Sequence, residues 1–174
     1  MNQSIKVITF PIANYLFALP MSTILKVSHC PSLSSENLSD IGLVNLENRT
    51  IALLNLHQKL DSARQVGGTK KIKRRAKISG QFLILTQSRQ GQLCGIPIDK
   101  LPDMIDLPLE TIEALPESYR QTNLLGIANY VAVLPSEEKK IAIFLLDLEA
   151  ALNLATSNET RSAKTSEAML LIGE

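Results

Sequence analysis

The sequence predicts a mainly β chain, built as two similar small barrels with short helical turns, and three observations carry that prediction. First, Gly42 to Leu60 (GLVNLENRTIALLNLHQKL) sets two apolar runs on either side of one polar turn, the pattern of a β-hairpin. Second, the same order recurs further along. Gly126-Ile127-Ala128-Asn129-Tyr130 answers Gly42-Leu43-Val44-Asn45-Leu46, Ile141 to Leu148 answers the run from Ile51, and Cys94-Gly95-Ile96-Pro97-Ile98 answers Phe17-Ala18-Leu19-Pro20-Met21. The offsets are 77 at the prolines, 84 at the Gly and Asn pairs and 90 at the Ile-Ala pairs, so the order holds with two small insertions. Two copies are too few for a solenoid, which leaves one β unit used twice. Third, 174 residues with 45% apolar content suffice for a real core, as one domain or two small lobes.

Charge and composition exclude several function classes. A net charge of +1 provides no global field toward nucleic acid or membrane, and 4% aromatics without Trp leave little for base stacking. No stretch approaches the roughly 20 apolar residues of a membrane span, and the N-terminus lacks a signal pattern, so a cytoplasmic protein without membrane insertion is expected. Cys30 and Cys94 have no disulfide-framework spacing and read as reduced thiols.

In chain order, Ile5 to Phe10 and Tyr15 to Leu19 read as strands joined at Pro11-Ile12-Ala13-Asn14, where Pro and Asn suit a turn. Pro20 to Val27 reads either as a helical turn with Ile24 and Val27 inward or as a continuing irregular strand, and the proline at the first position favours the turn. A Ser-rich loop through Asp40 leads to the central hairpin. Its turn is Glu47-Asn48-Arg49-Thr50, hinged at Asn48 because asparagine tolerates the left-handed backbone region. His57 to Leu60 closes the unit as a helical turn.

From Asp61 to Gly80 the composition shifts to DSARQVGGTKKIKRRAKISG, a linker with Lys70, Lys71, Lys73, Arg74, Arg75 and Lys77. Such a basic patch could grip phosphates, and a small nucleic-acid-binding protein using residues 70–77 is the rival reading. The absence of interleaved aromatics and of any nucleic-acid motif favours a solvated connector instead. Beyond it, Gln81 to Thr86 is an apolar strand that returns through Arg89-Gln90-Gly91 into Leu93 to Ile96. Leu109 to Leu115 reads as a short helix or irregular segment, and Leu124 onward opens the second hairpin, with its longer tip at Pro135 to Lys140. Asp147 to Asn153 ends the domain as a helical turn or short helix. Residues 155–174 form a polar and then apolar tail, expected to be mostly disordered.

Catalytic chemistry finds no foothold in the sequence. His29, His57, Cys30 and Cys94 are the soft metal ligands, and none shows zinc-site spacing. No phosphate loop, dinucleotide fingerprint or nucleophile elbow is present. The carboxylate pairs Asp103 with Asp106 and Glu110 with Glu113 read as solvated acids.

The residues GLVNLENRTIALLNL, GIPIDKLPDMIDLPLETIEALP and LLGIANY followed by IAIFLLDLEAAL resemble, in order and character, the CheW-like domain family. The resemblance spans residues 5–154. It implies two five-stranded SH3-like barrels packed together, here a first lobe at about 5–60, a linker at 61–80 and a second lobe at about 81–154. It also implies a protein with no enzymatic activity, cofactor or small-molecule substrate. Such a protein couples a methyl-accepting chemoreceptor's cytoplasmic tip, in chemotaxis or phototaxis, to the regulatory domain of a CheA-type histidine kinase. The family's hairpin turn usually reads Arg-Gly within a contact region, so the resemblance implies partner-binding residues Leu46, Glu47, Asn48 and Arg49. At that turn this chain carries Glu47 and Asn48, with Ala52 for the usual Pro and Asn55 for the usual Asp, and Arg49 is the neighbouring cation available to offset Glu47.

Overall fold

In the computed structural model, which describes residues 2–31, 41–57, 60, 80–121 and 126–153, the alternating apolar runs form eleven strands. They are β1 (Ser4–Ile12), β2 (Tyr15–Pro20), β3 (Ile24–His29), β4 (Ile41–Leu46), β5 (Arg49–Leu54), β6 (Phe82–Gln87), β7 (Leu93–Ile98), β8 (Asp103–Pro108), β9 (Ile112–Ala114), β10 (Ala128–Pro135) and β11 (Lys140–Leu146). The basic segment 70–77, most of the linker and the tail 155–174 lie outside the described residues.

Two sheets result. One has the order β8-β1-β2-β11-β10-β9 and the other β3-β6-β7-β5-β4. In the first, the edge strands β8 and β9 are joined by the single 3₁₀ turn Leu109–Thr111. A 3₁₀ turn rises only about 2 Å per residue, so the two edges must meet. The sheet therefore curls into a barrel in which β8, the turn and β9 act as one bent strand, making five. In the second sheet, Lys26 Nζ on edge strand β3 lies 3.2 Å from Glu47 Oε1 at the end of edge strand β4. These edges approach as well.

Neither barrel is built from one contiguous half of the chain, which corrects the lobe boundaries 5–60 and 81–154. β1 and β2 pair with β8 and β11 from the second half, while β3 and β5 pair with β6 and β7. The exchange is symmetric. β5 runs parallel to β7 through Ala52↔Cys94 and Leu53↔Gly95, and β11 runs parallel to β2 through Phe144↔Phe17 and Leu145↔Ala18. Each unit thus lends its last hairpin to the other unit's first.

The ladders also correct the internal register. Cys94 answers Phe17 at the offset of 77, so Ala52, which pairs with Cys94, answers Phe144 at 92 and not Ile141's neighbour at 90. At 92 the runs LLNLHQKL (from Leu53) and LLDLEAAL (from Leu145) align without a gap. Gly42 pairs with Leu53 and Tyr130 with Leu145, so Gly42 answers Tyr130 and the Gly-Asn match at 84 dissolves. Asn129 sits at a register shift in β10 with no counterpart in β4. There it donates to Asp147 Oδ2 at 2.6 Å, while Asp147 Oδ1 accepts from the amide of Ala150 at 3.1 Å and caps the last helix.

Side-chain alternation explains the two cores. On β1, Val7 points into a cluster with Ala18, Leu107, Ala132 and Ile143 inside the first barrel. Ile8, Phe10 and Ile12 face the other way and join Phe17, Leu54, Ile84, Ile96 and Leu152. That second cluster draws on both sheets, so one continuous core cements the barrels. β5 is buried on both faces, which is why Ile51 to Leu54 is an unbroken apolar run. Inside the second barrel space is tight: a Cβ on Gly95 would lie 3.0 Å from Leu83 Cδ1 and 3.5 Å from Ile51 Cγ2.

Three local expectations change. β1 continues through Pro11 to Ile12, because its ladder with β8 stops at Thr9 and Pro11 interrupts no bond there. The helical turn after Pro20 is only Met21–Thr23, where Thr23 Oγ1 donates to the Pro20 carbonyl at 2.8 Å, and Ile24 then starts β3. Its twin is Leu109–Thr111, with Thr111 Oγ1 donating to the Pro108 carbonyl at 2.7 Å, followed by strand β9 where helix or irregular structure was expected. Strand β8 was not anticipated, since DMIDLP carries two acids and ends on proline.

Candidate functional site

The hairpin tip is tighter than the four-residue turn expected. Leu46 pairs with Arg49, so only Glu47 and Asn48 remain in the turn and Arg49 and Thr50 belong to β5. Both turn residues adopt positive φ, 49° at Glu47 and 65° at Asn48. This is the two-residue type I′ connection, whose twist matches that of the strands. Asn48 suits it for the reason read from the sequence. Glu47 does not, because a β-carbon in the left-handed region crowds the following carbonyl at a cost of about 1–2 kcal/mol.

Glu47 has a nearby cation. Lys26 Nζ donates to Glu47 Oε1 at 3.2 Å, with both side chains more than half exposed. The residue that offsets Glu47 is therefore Lys26 of β3, and the expectation for Arg49 is corrected. Lys26 is the site residue that sequence reasoning missed. Its only signal was a lone charge in the apolar run Ile24 to Val27, and the pairing arises only because the sheet brings its edges together. Below the turn, Thr50 Oγ1 donates to Asn45 Oδ1 at 3.1 Å and ties the two strands on the exposed face. Leu46 is half-buried and Glu47, Asn48 and Arg49 are exposed. The four residues thus form one contiguous tip with Lys26 on its flank: an apolar shoulder beneath a +/− pair and a second cation.

The other candidates disperse. Asp103 pairs with Thr9 and Asp106 with Lys6 on β1, and residues three apart on a strand point to opposite faces, so these carboxylates do not converge. His29 lies against the Phe82 ring at a centroid distance of 5.2 Å. His57 Nε2 is 3.4 Å from Asp99 Oδ2, close enough for an ion pair but without hydrogen-bond geometry. Cys94 is buried, and burial together with the charge of Glu149 pushes its thiol up to about 11, against a smaller opposing contact at Ser88. Among the described residues no group of three or more His, Cys, Asp or Glu is placed to hold a metal, and no helix is long and apolar enough to cross a membrane.

Comparison with known proteins bears on this geometry. The CheW-like domain profile matches residues 6–161. Among solved structures, the scaffolding protein TtCheW from Thermoanaerobacter tengcongensis is similar, with 20% identity and a TM-score of 0.60 over 85% of this chain and 87% of that one. No curated protein matches.

Proposed function

The chain belongs to the CheW-like domain family, and from that premise we propose that it is a cytoplasmic, non-catalytic adaptor joining a chemoreceptor's cytoplasmic tip to the regulatory domain of a CheA-type histidine kinase. The observation that supports this reading is the hairpin tip. Its side chains from Glu47 to Arg49 are exposed, and its ion pair with Lys26 is a surface pair of a kind worth about 0–1 kcal/mol. Charges that contribute so little to folding are suited to choosing a partner and speeding its approach.

The tip meets its partner through Leu46, Glu47, Asn48 and Arg49, with Lys26 as a fifth member. Where the family's usual arginine presents a cation, this chain presents an anion already bound to Lys26. A partner therefore meets a paired dipole beside Arg49, and the matching surface carries a basic group opposite Glu47. The test mixes the protein with the kinase regulatory domain encoded near its gene and with the cytoplasmic tip of the adjacent receptor. Glu47→Arg weakens receptor binding, and Arg49→Glu weakens it too if the two act together, while the thermal midpoint of each stays close to that of the parent. Unchanged affinity in both variants removes the turn from the interface. No complex with either partner, by a folded protein, removes the coupling function.

A further inference from the structure

β3 does not alternate as a regular strand would. Ile24 and Val27 both pack against the continuous core that joins the barrels, yet residues three apart on an unbroken strand point to opposite faces. The ladder with β6 shows how both reach the core. Ile24 pairs with Thr86 and Lys26 with Leu85, so Leu25 is an extra residue without a partner in the ladder. This β-bulge restores the phase of the strand. It leaves Leu25 and Lys26, neighbours in the chain, both exposed to solvent, Leu25 at 51%.

A bulge near a sheet edge serves either to blunt that edge or to re-aim a side chain. Blunting uses charge, which Lys26 already supplies, and a half-exposed leucine adds nothing to it. Re-aiming fits the location. Lys26 Nζ reaches Glu47 Oε1 at 3.2 Å, so the bulge sets a leucine next to the lysine that flanks the hairpin tip. The tip's own apolar side chain, Leu46, is half-buried, and its charged side chains are exposed. A protein interface has an apolar, charge-depleted centre inside a polar rim. The tip supplies the rim, and Leu25 supplies the centre that the tip lacks.

We propose that Leu25 is the apolar anchor of the partner-binding tip. The docked receptor segment covers Leu25 and the exposed part of Leu46 with an apolar side chain, and a basic group beside that side chain meets Glu47. The inference rests on the adaptor reading and names a contact residue outside the hairpin. It divides the labour at the site: Leu25 contributes affinity that salt does not screen, and the Lys26 and Glu47 pair with Arg49 contributes selectivity that salt does screen.

Calorimetric titration of the receptor's cytoplasmic tip into the full chain reads the contact. Leu25→Ala weakens binding about tenfold, and Leu25→Asp, which buries a charge in the contact, weakens it further. Both variants keep the circular dichroism and thermal midpoint of the parent, because the site is exposed. The loss from Leu25→Ala persists at high salt, whereas the loss from Glu47→Arg shrinks there. Leu109→Ala, at an exposed leucine in the turn between β8 and β9 of the other barrel, binds as the parent does. A parent that binds, with both Leu25 variants binding equally well, overturns the anchor and leaves the adaptor reading standing. An equal loss from Leu109→Ala overturns the anchor too. A folded parent that does not bind the receptor tip at all refutes the receptor contact, and the anchor falls with it.

Discussion

Replacing Phe17 with alanine tests the exchange of strands that separates this fold from two contiguous lobes. Phe17 lies on β2, is fully buried, and has ring centroids 6.4 Å from Phe10, 6.4 Å from Tyr15 and 6.2 Å from Phe144. A buried Phe→Ala change costs about 3–5 kcal/mol through lost transfer energy and the cavity left behind. At about 2–4 °C per kcal/mol for a chain of this size, the thermal midpoint falls by about 6–20 °C. Phe144 provides the sharper readout, because it is β11's direct parallel partner of Phe17 and comes from the other half of the chain. A double-mutant cycle of Phe17→Ala and Phe144→Ala, followed by urea unfolding, gives a coupling of about 0.5–1.5 kcal/mol, the range for aromatic pairs beyond their buried area. Additivity within about 0.3 kcal/mol is the behaviour of residues that do not touch. That result would refute the parallel β2 and β11 pairing, and with it the interlocked barrels.

Leu54→Ala, at a fully buried position, costs about 2–5 kcal/mol, whereas Glu47→Ala stays within about 1 kcal/mol; thermal melts showing the reverse order would invert the inside and outside of the hairpin. Fragments ending at Gly67 and beginning at Gly68 remain unfolded alone by circular dichroism and gain β structure when mixed, since β1, β2, β3 and β5 find sheet partners in the other half. Folding of either fragment by itself would contradict that dependence. Cys94, with its thiol held protonated up to about 11, has only about a thousandth of its population as reactive thiolate at pH 8. Iodoacetamide with mass spectrometry should therefore modify Cys94 only after denaturant is added, and rapid native labelling would show that it is not buried.

Period-two alternation and repeated order were legible in the sequence because they reflect local physics: each strand needs one buried face, and the same unit was used twice. What the sequence could not show was which hairpin each strand joins. An exchanged barrel and a contiguous one bury the same residues of β2 and β5, so their hydrophobic patterns are identical. The false match of Gly42 with Gly126 has a similar origin. Residue identity suggested it, whereas Asn129 serves a helix cap through Asp147 that Asn45, bonded across the hairpin to Thr50, has no part in. β8 escaped notice because exposed acids and proline, which protect an edge, also erase the apolar signature of a strand. At the candidate site the turn and its Asn48 hinge were readable, since left-handed conformers favour asparagine. The Lys26 contact was not, because its two members are 21 residues apart and meet only through barrel closure.

That division of labour explains how the tip can differ from the family's usual Arg-Gly while the fold stays the same. The turn demands a backbone shape, and Asn48 supplies half of it at little cost; Glu47 carries the strain that an asparagine or glycine there would avoid. Nothing in the core requires a glutamate at this position, since its side chain is 80% exposed. The ion pair with Lys26 returns at most a fraction of a kilocalorie to about one, less than the backbone strain it accompanies. Stability therefore does not account for Glu47. A strained, exposed acid beside a lysine from the opposite edge instead fits the proposal that the charge at the tip serves partner choice.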